Sequence, residues 1–415
     1  IGNAGSGKST FLYQTAIKEA ALHPDKTYII FVPDQFTMQT QKELVMLHPD
    51  HAIMNIEVLS FERFAFRVFD ELGVKTYDVL EDTGKMLLLR NVASEKKQEL
   101  TVLKPSIEKP GYISELKSLF SELKQYDISP EDFEQMIHSS GASLMFTQKG
   151  EDLLLLYREF LSEMEGRYIT AEQILELLID VINESAFPQN AVFFFDGYTG
   201  FTPLQNKLIA KMLLLTQKMY FAVTGDESVT VTGIYDETQL FAMSQQMMLS
   251  LTKMANESHC NIENSIYLNP ADKKRFSTKS ALFHLEQNLF RKEEKIFSKE
   301  QNEIEIYELT NPRLELRFVA AQIHELIRTK DLHYRDIAVI CADLNEYSYY
   351  VQEIFPMYQV PYFMDQKTTI SFHPCIEFLE SAMDIVAHRF AYADVMHFLR
   401  TGYMDFTIED INLLN

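Results

Sequence analysis

The first ten residues constrain this chain more than any later stretch. Gly2, Asn3, Ala4, Gly5, Ser6, Gly7, Lys8 and Ser9 satisfy G-x-x-x-x-G-K-[ST], and Thr10 leads into a helical pattern. Glycines at these positions let the backbone wrap a polyphosphate. Successive N–H groups and the N-terminus of the next helix then bind its anionic oxygens. Lys8 is spaced to reach the β- and γ-phosphates, and the Ser9 hydroxyl to ligate Mg²⁺. The implied occupant is ATP with Mg²⁺. The competing reading is a glycine-rich turn that holds no nucleotide. The strand that should precede the loop is cut to Ile1, so the chain reads as a fragment.

Such a loop needs a second carboxylate on a neighbouring strand to complete the metal shell. Asp196 follows the apolar run Val192–Phe195 and is the best candidate; alternatively, it caps the turn before Gly197. An active motor would place Glu next, to activate the attacking water. Gly197 stands there instead. The inference is ATP binding with feeble hydrolysis.

Between and beyond these motifs the chain alternates. The pattern predicts a helix over 11–22, a buried strand at 28–32, a short strand within 53–59 and a helix over 61–72 with Gly73 at its C′ position. Strand and helix in this tempo imply a parallel βαβ sheet. From about Thr76 to Pro188 only helices are expected, with Thr170–Gln173 as a capping box. The sheet resumes at 191–195, and a helix over 203–215 precedes a strand at 219–223. Residues 286–301 are charge-dense, and Arg291–Lys295 reads as a solvated linker. A second α/β unit follows, with strands at 304–307, 337–340 and 360–364 and helices over 313–329 and 347–358; helices return from His373. Met243, Met247, Met248, Leu251 and Met254 lie at helical spacing and read as core.

Composition removes several classes. Thirty Phe and 20 Tyr in 415 residues supply too much burial drive for disorder. No apolar run reaches the ~18 residues of a membrane span, and no basic-then-apolar leader argues for export. Three scattered cysteines without C-x-x-C pairing point to neither a disulfide framework nor a zinc ribbon, and suit a reducing cytoplasm. The 11 His show no ligand spacing, so no transition-metal site is expected. A net charge of −22 disfavours coating nucleic acid by bulk electrostatics. It leaves room for a local groove or a basic partner.

The order of motifs resembles the superfamily 1 helicases of the UvrD type. It is closer still to the B subunits of AddAB (RexAB) helicase–nucleases, which process double-strand DNA ends for recombination. The matching stretches are Gly2–Thr10, Val32–Thr37, Leu59–Arg67, Thr83–Arg90, Phe195–Pro203, His284–Glu286, Asn311–Glu315, Tyr334–Ile340 and Val360–Asp365. The resemblance implies an α/β fold of the P-loop NTPase class: two RecA-like parallel-sheet units with helical insertions. Residues 1–75 with 189–285 would form the first unit, 76–188 its insertion, and 286–302 a linker. Residues 303–371 would form an incomplete second unit, and 372–415 the start of another insertion. It further implies decayed motor motifs, a partner A subunit carrying motor and nuclease, and single- and double-stranded DNA as ligands, with no membrane. Decay is visible at Asp196–Gly197, at Thr224–Asp226, which lacks the expected Gln, and at Cys341–Asn345, which lacks an Arg. Neither a nuclease constellation nor the cysteine cluster that holds an iron–sulfur centre in many relatives is present in these 415 residues.

Three patches are candidates for DNA contact. On the helix over 61–72, Arg63, Phe66 and Arg67 lie opposite the apolar stripe, suiting base stacking with phosphate contact; the bland reading packs Phe66 against the insertion. Phe61 is on the core stripe by periodicity, although helicase relatives bring this segment's start to the strand. Gln35 and Thr37 follow a strand end and can donate and accept at base edges, or simply cap a loop. Tyr198, Phe201 and Thr202 form the third patch. Two rival functions stay open: a working 3′→5′ helicase, and an acidic scaffold that docks the motor subunit.

Overall fold

The computed structural model describes the chain apart from residues 75–77, 108, 140–142, 227–228, 230–235, 269–276, 292–294, 367–369, 371 and 414–415. Two compact units divide it, Ile1–Ile304 and Glu305–Asn415.

The first unit opens with α1 (Lys8–Leu22), β1 (Thr27–Phe31), α2 (Thr37–Leu47), β2 (Ile56–Leu59) and α3 (Phe61–Leu72). Ser60 caps α3 by accepting from the Arg63 N–H, and Gly73 closes it at φ 63°, a conformation that favours glycine. Then come β3 (Asp78–Val79), α4 (Asp82–Lys96), α5 (Pro110–Gln125), α6 (Pro130–Ser139), α7 (Leu144–Met164), β4 (Tyr168–Ile169) and α8 (Ala171–Val181). The unit ends with β5 (Ala191–Phe195), α9 (Pro203–Leu215), β6 (Lys218–Phe221), α10 (Ala242–Glu257) and α11 (Ala281–Asn288).

Four strands form one parallel sheet in the order β2-β1-β5-β6. Both faces are covered, which is why its strands are apolar without alternation. Tyr28, Ile30, Val32, Val192 and Phe194 pack against α1 and α2 through Leu12, Tyr13, Ala16 and Leu44. Ile29, Phe31, Phe193 and Phe195 face α3, α8 and α9 through Phe64, Val68, Ile174, Leu178, Leu208 and Met212. Rings stack across the strands: Phe31 on Phe195 at 4.8 Å and Phe195 on Phe221 at 4.6 Å between centroids. The first residues of the chain extend this layer, since Gly2 bridges Thr224 and Leu268 in parallel fashion.

The segment between α3 and α8 has its own core, with Leu89, Val92, Ile113, Leu116, Phe120, Tyr157 and Phe160 at its centre. It is not purely helical as expected. β3 and β4 pair in parallel over two residues, because the chain leaves and re-enters the insertion side by side. A nearly buried Lys85–Glu172 pair at 3.2 Å ties α4 to α8, and Lys124–Glu176 at 3.1 Å ties α5 to it.

The second unit contains α12 (Pro312–Lys330), α13 (Leu344–Met357), α14 (Pro374–Ala387), α15 (Tyr392–Arg400) and α16 (Ile408–Leu413). Leu316, Ala320 and Ile323 of α12 pack against Val351, Ile354 and Phe355 of α13. The strands expected at 304–307, 337–340 and 360–364 are not formed. A parallel strand needs a neighbour for its N–H and C=O groups, and these runs have no ladder partner among the described residues. Each run leaves an apolar side chain outside, with Ile306, Ile340 and Phe363 each more than nine-tenths exposed, while Val360 joins the core of α12 and α13.

Two smaller expectations also change. Met243 is exposed because it lies outside the stripe of Ser244, Met247 and Met248 that α10 buries. Arg291 is no solvated linker residue: it pairs with Asp226 at 2.9 Å and lies over the Phe241 ring. Most of the remaining charge run, and the boundary expected at 75–76, lie outside the described residues.

Candidate functional site

The glycine loop joins the edge of the sheet to α1. Gly2 donates to the Val223 carbonyl at 3.1 Å, and its own carbonyl accepts from the Gly225 N–H at 3.1 Å. A Cβ at Gly2 would sit 2.3 Å from Ser6 Oγ and 3.0 Å from the Leu268 carbonyl, so no larger residue fits without a shift. Gly5 and Gly7 have φ of 74° and 86°, and Gly7 stands at the N-cap of α1. No side chain caps that terminus and no acidic residue lies in its first turn. Its free N–H groups and the positive end of its dipole are therefore unspent.

Lys8 Nζ donates to the Asn3 carbonyl at 3.0 Å, folding back over the loop. Burial pulls its ammonium below the ordinary lysine value, while the carboxylates of Asp196 and Glu286 work against that shift. Lys8 thus lies within the field of Asp196. Asn3 Oδ1 and Ser6 Oγ are buried without a hydrogen-bond partner. Uncapped amides, an ammonium and the hydroxyls of Ser9 and Thr10 are a donor set that fits a polyphosphate. The described residues gather no group of three or more His, Cys, Asp or Glu placed to hold a metal ion by themselves. A cation here would rely on Ser9, Asp196 and the nucleotide's own oxygens.

Asp196 ends β5, where its N–H donates to the Phe31 carbonyl at 3.0 Å, and it is only 6% exposed. Its carboxylate is held by a residue that the sequence did not single out. The Tyr13 hydroxyl donates to Asp196 Oδ2 at 2.8 Å and lies 3.4 Å from Thr40 Oγ1. Burial, reinforced by Asp196, raises the Tyr13 phenol well above its ordinary value, so it stays a donor. The signal was available: Tyr13 is one helical turn beyond Ser9, on the same face. Gly197 has φ 80°, and a Cβ there would approach Pro33 Cδ to 3.4 Å.

The residues expected to face DNA divide into exposed and packed sets. Gln35 is exposed on the turn between β1 and α2, whereas Thr37 is buried and its hydroxyl donates to the Asp34 carbonyl at 2.9 Å. Phe61 is 6% exposed, stacked on Phe31 at 5.0 Å, with Tyr198 and Phe201 edge-on at 5.8 and 6.2 Å. Tyr198 and Phe201 are half-buried in that cluster, and burial pushes the Tyr198 phenol up. Thr202 is engaged in the capping box of α9 with Gln205. On α3, Arg63 is exposed and Phe66 half-buried, edge-on to Phe69. Arg67 lies over the Phe187 ring at 5.1 Å and 3.9 Å from Glu57. The structure therefore joins Phe61, Tyr198 and Phe201 in one cluster beside Asp196 and leaves Arg63 and Phe66 together on α3. Changing Arg63 or Phe66 to Ala is expected to weaken single-strand binding, by about 1–3 kcal/mol for a stacking ring. Unaltered affinity at matched salt would remove α3 from the interface.

A family model described as ADDB, N-terminal, matches residues 1–286. The chain is 37% identical to the B subunit of the ATP-dependent helicase/deoxyribonuclease of Lachnoclostridium phytofermentans, over 100% of its length and 36% of that protein. Proteins of the same name from Alkaliphilus metalliredigens and Clostridium novyi are each 30% identical over the same shares. The chain spans about a third of the length of these relatives. With a match that covers the loop, the sheet and the insertion alike, it belongs to the AddB N-terminal family.

Proposed function

We propose that this chain is the nucleotide-binding, helicase-like region of the B subunit of an ATP-dependent helicase/deoxyribonuclease. In this reading it pairs with a motor and nuclease A subunit and acts on DNA ends during recombinational repair in the cytoplasm. Its first unit is RecA-like and of the P-loop NTPase class, built from 1–75 and 189–285 around the insertion 76–188. Residues 303–371, after the linker 286–302, stand where the resemblance puts a second RecA-like unit, although its expected strands are not formed, and 372–415 begins a further insertion. Single-stranded DNA is contacted rather than pulled, with Gln35 and Arg63 exposed and Phe66 half-buried on α3.

The observation that carries the reading is the uncapped N-terminus of α1 behind a loop whose Gly5 and Gly7 are left-handed, with Lys8 in the field of Asp196. Loop amides and Lys8 would hold the phosphates; Ser9 and Asp196 would hold Mg²⁺. When bound, the cation neutralises charge on the phosphates. Lys8 would exchange the Asn3 carbonyl for a phosphate oxygen, and the loop amides would orient the chain of phosphates along α1.

Feeble hydrolysis is supported by Gly197, which puts no carboxylate after Asp196 and has φ 80°. A side chain at 197 would have to adopt the left-handed conformation, which costs about 1–2 kcal/mol for a residue with a Cβ. The place where a motor would hold its general base is thus shaped for glycine. The test is nucleotide titration of the intact protein beside steady-state turnover. Micromolar or tighter binding with slow turnover is expected; brisk turnover that requires Lys8 would replace this reading with that of a working helicase.

A further inference from the structure

We propose that Tyr13 is a positioning residue: its hydroxyl holds one oxygen of Asp196, aims the other at a divalent cation beside Ser9, and ties that carboxylate to α2 through Thr40. The inference rests on the nucleotide reading above and goes beyond it.

The geometry is specific. Asp196 is nearly buried, and Tyr13 is the hydrogen-bond partner of its side chain, through Oδ2 at 2.8 Å. Oδ1 has no partner among the described residues. A buried carboxylate with one oxygen held and one free has the form of a pre-oriented metal ligand, whose outer partner fixes its direction. Tyr13 and Ser9 occupy successive turns of one face of α1. One rigid helix therefore carries both the hydroxyl suited to the cation and the phenol that orients the carboxylate.

Thr40 extends the arrangement. Because the single phenolic proton goes to Asp196, the 3.4 Å contact leaves Thr40 Oγ1 as donor to Tyr13. Thr40 is 4% exposed on α2, the helix that follows the turn bearing Gln35. A three-group chain thus runs from α2 through α1 to the end of β5.

The test measures the affinity of the intact protein for a fluorescent ATP analogue with and without Mg²⁺. Wild type is expected to gain affinity with Mg²⁺, and Tyr13→Phe to lose about tenfold of that gain, the lower end for an outer partner of a metal ligand. Affinity without Mg²⁺ stays unchanged. A Tyr13→Phe protein with an undiminished or larger Mg²⁺ gain overturns the proposal, as does an equal loss with and without the metal. Wild-type protein that binds no analogue overturns the nucleotide reading itself. Thr40→Val, expected to lose two- to threefold of the gain, carries the same test should Tyr13→Phe fail to fold, and an unchanged gain there overturns the proposal.

Discussion

Replacing Asp152 with Ala destabilises the helical insertion by about 3 kcal/mol or more, because a buried carboxylate shared by several backbone N–H groups is removed and those donors lose their acceptor. Asp152 lies on α7 and is 4% exposed. Its two oxygens accept from the N–H groups of Thr101, Val102 and Leu103 at 2.8–3.1 Å and from the Thr101 hydroxyl at 3.1 Å. These bonds fix the connection between α4 and α5, and with it Leu100, Leu103 and Ile107, which fill the insertion's core. Without the carboxylate, several donors lose their acceptor, each at about 1–3 kcal/mol where water cannot reach. Asn is a partial substitute: one oxygen remains, but the amide N–H₂ faces other donors, so about 2 kcal/mol is still lost. Denaturant midpoints and limited proteolysis within residues 78–181 read the effect. A midpoint unchanged in the Ala variant would show that solvent satisfies those amides.

Much of this first unit was legible because local signals and tertiary contacts agree. Val192–Phe195 is apolar and flanked by breakers, and it forms the central strand β5. Ser60 and Gly73 mark the ends of α3 at the predicted residues. The glycine loop was readable because its backbone demands residues without Cβ. What stayed hidden depends on pairing across the fold. Tyr13 is an ordinary apolar-face tyrosine until β5 brings Asp196 to its hydroxyl, 183 positions away. Phe61, Tyr198 and Phe201 are as suited to stacking bases as to stacking one another, and only the sheet's aromatic ladder shows how far they are packed. The apolar runs around Ile306, Ile340 and Phe363 have strand composition, yet composition does not supply a neighbour.

Lys8→Ala is expected to reduce affinity for Mg-nucleotide by about 100-fold or more, while the folded protein without nucleotide loses no stability. The first half follows from charge. At an effective dielectric near 20, an ammonium about 4 Å from a unit negative charge is worth about 4 kcal/mol, and 1.4 kcal/mol is a tenfold change in affinity. Arg is a poor replacement, because a planar fork does not occupy the place of a compact ammonium. The second half follows from the direction in which Lys8 is shifted. Burial is the largest cause and lowers its pKa, so the folded state disfavours the charged form. A lysine whose folded pKa is depressed opposes folding below that pKa, and the opposition fades as pH rises through it towards the unfolded value. Removing Lys8 removes that opposition, at the loss of one hydrogen bond to the Asn3 carbonyl. The same sign governs binding: the cation is the form that meets phosphate, so affinity falls on alkalinisation earlier than for an ordinary lysine. Nucleotide titrations of wild type and variant across neutral to alkaline pH, beside melting curves without nucleotide, test both halves. An Ala variant that binds as tightly as wild type would detach Lys8 from any phosphate. One that binds weakly but also melts lower would mean that the ammonium stabilises the empty loop, against the direction of its shift.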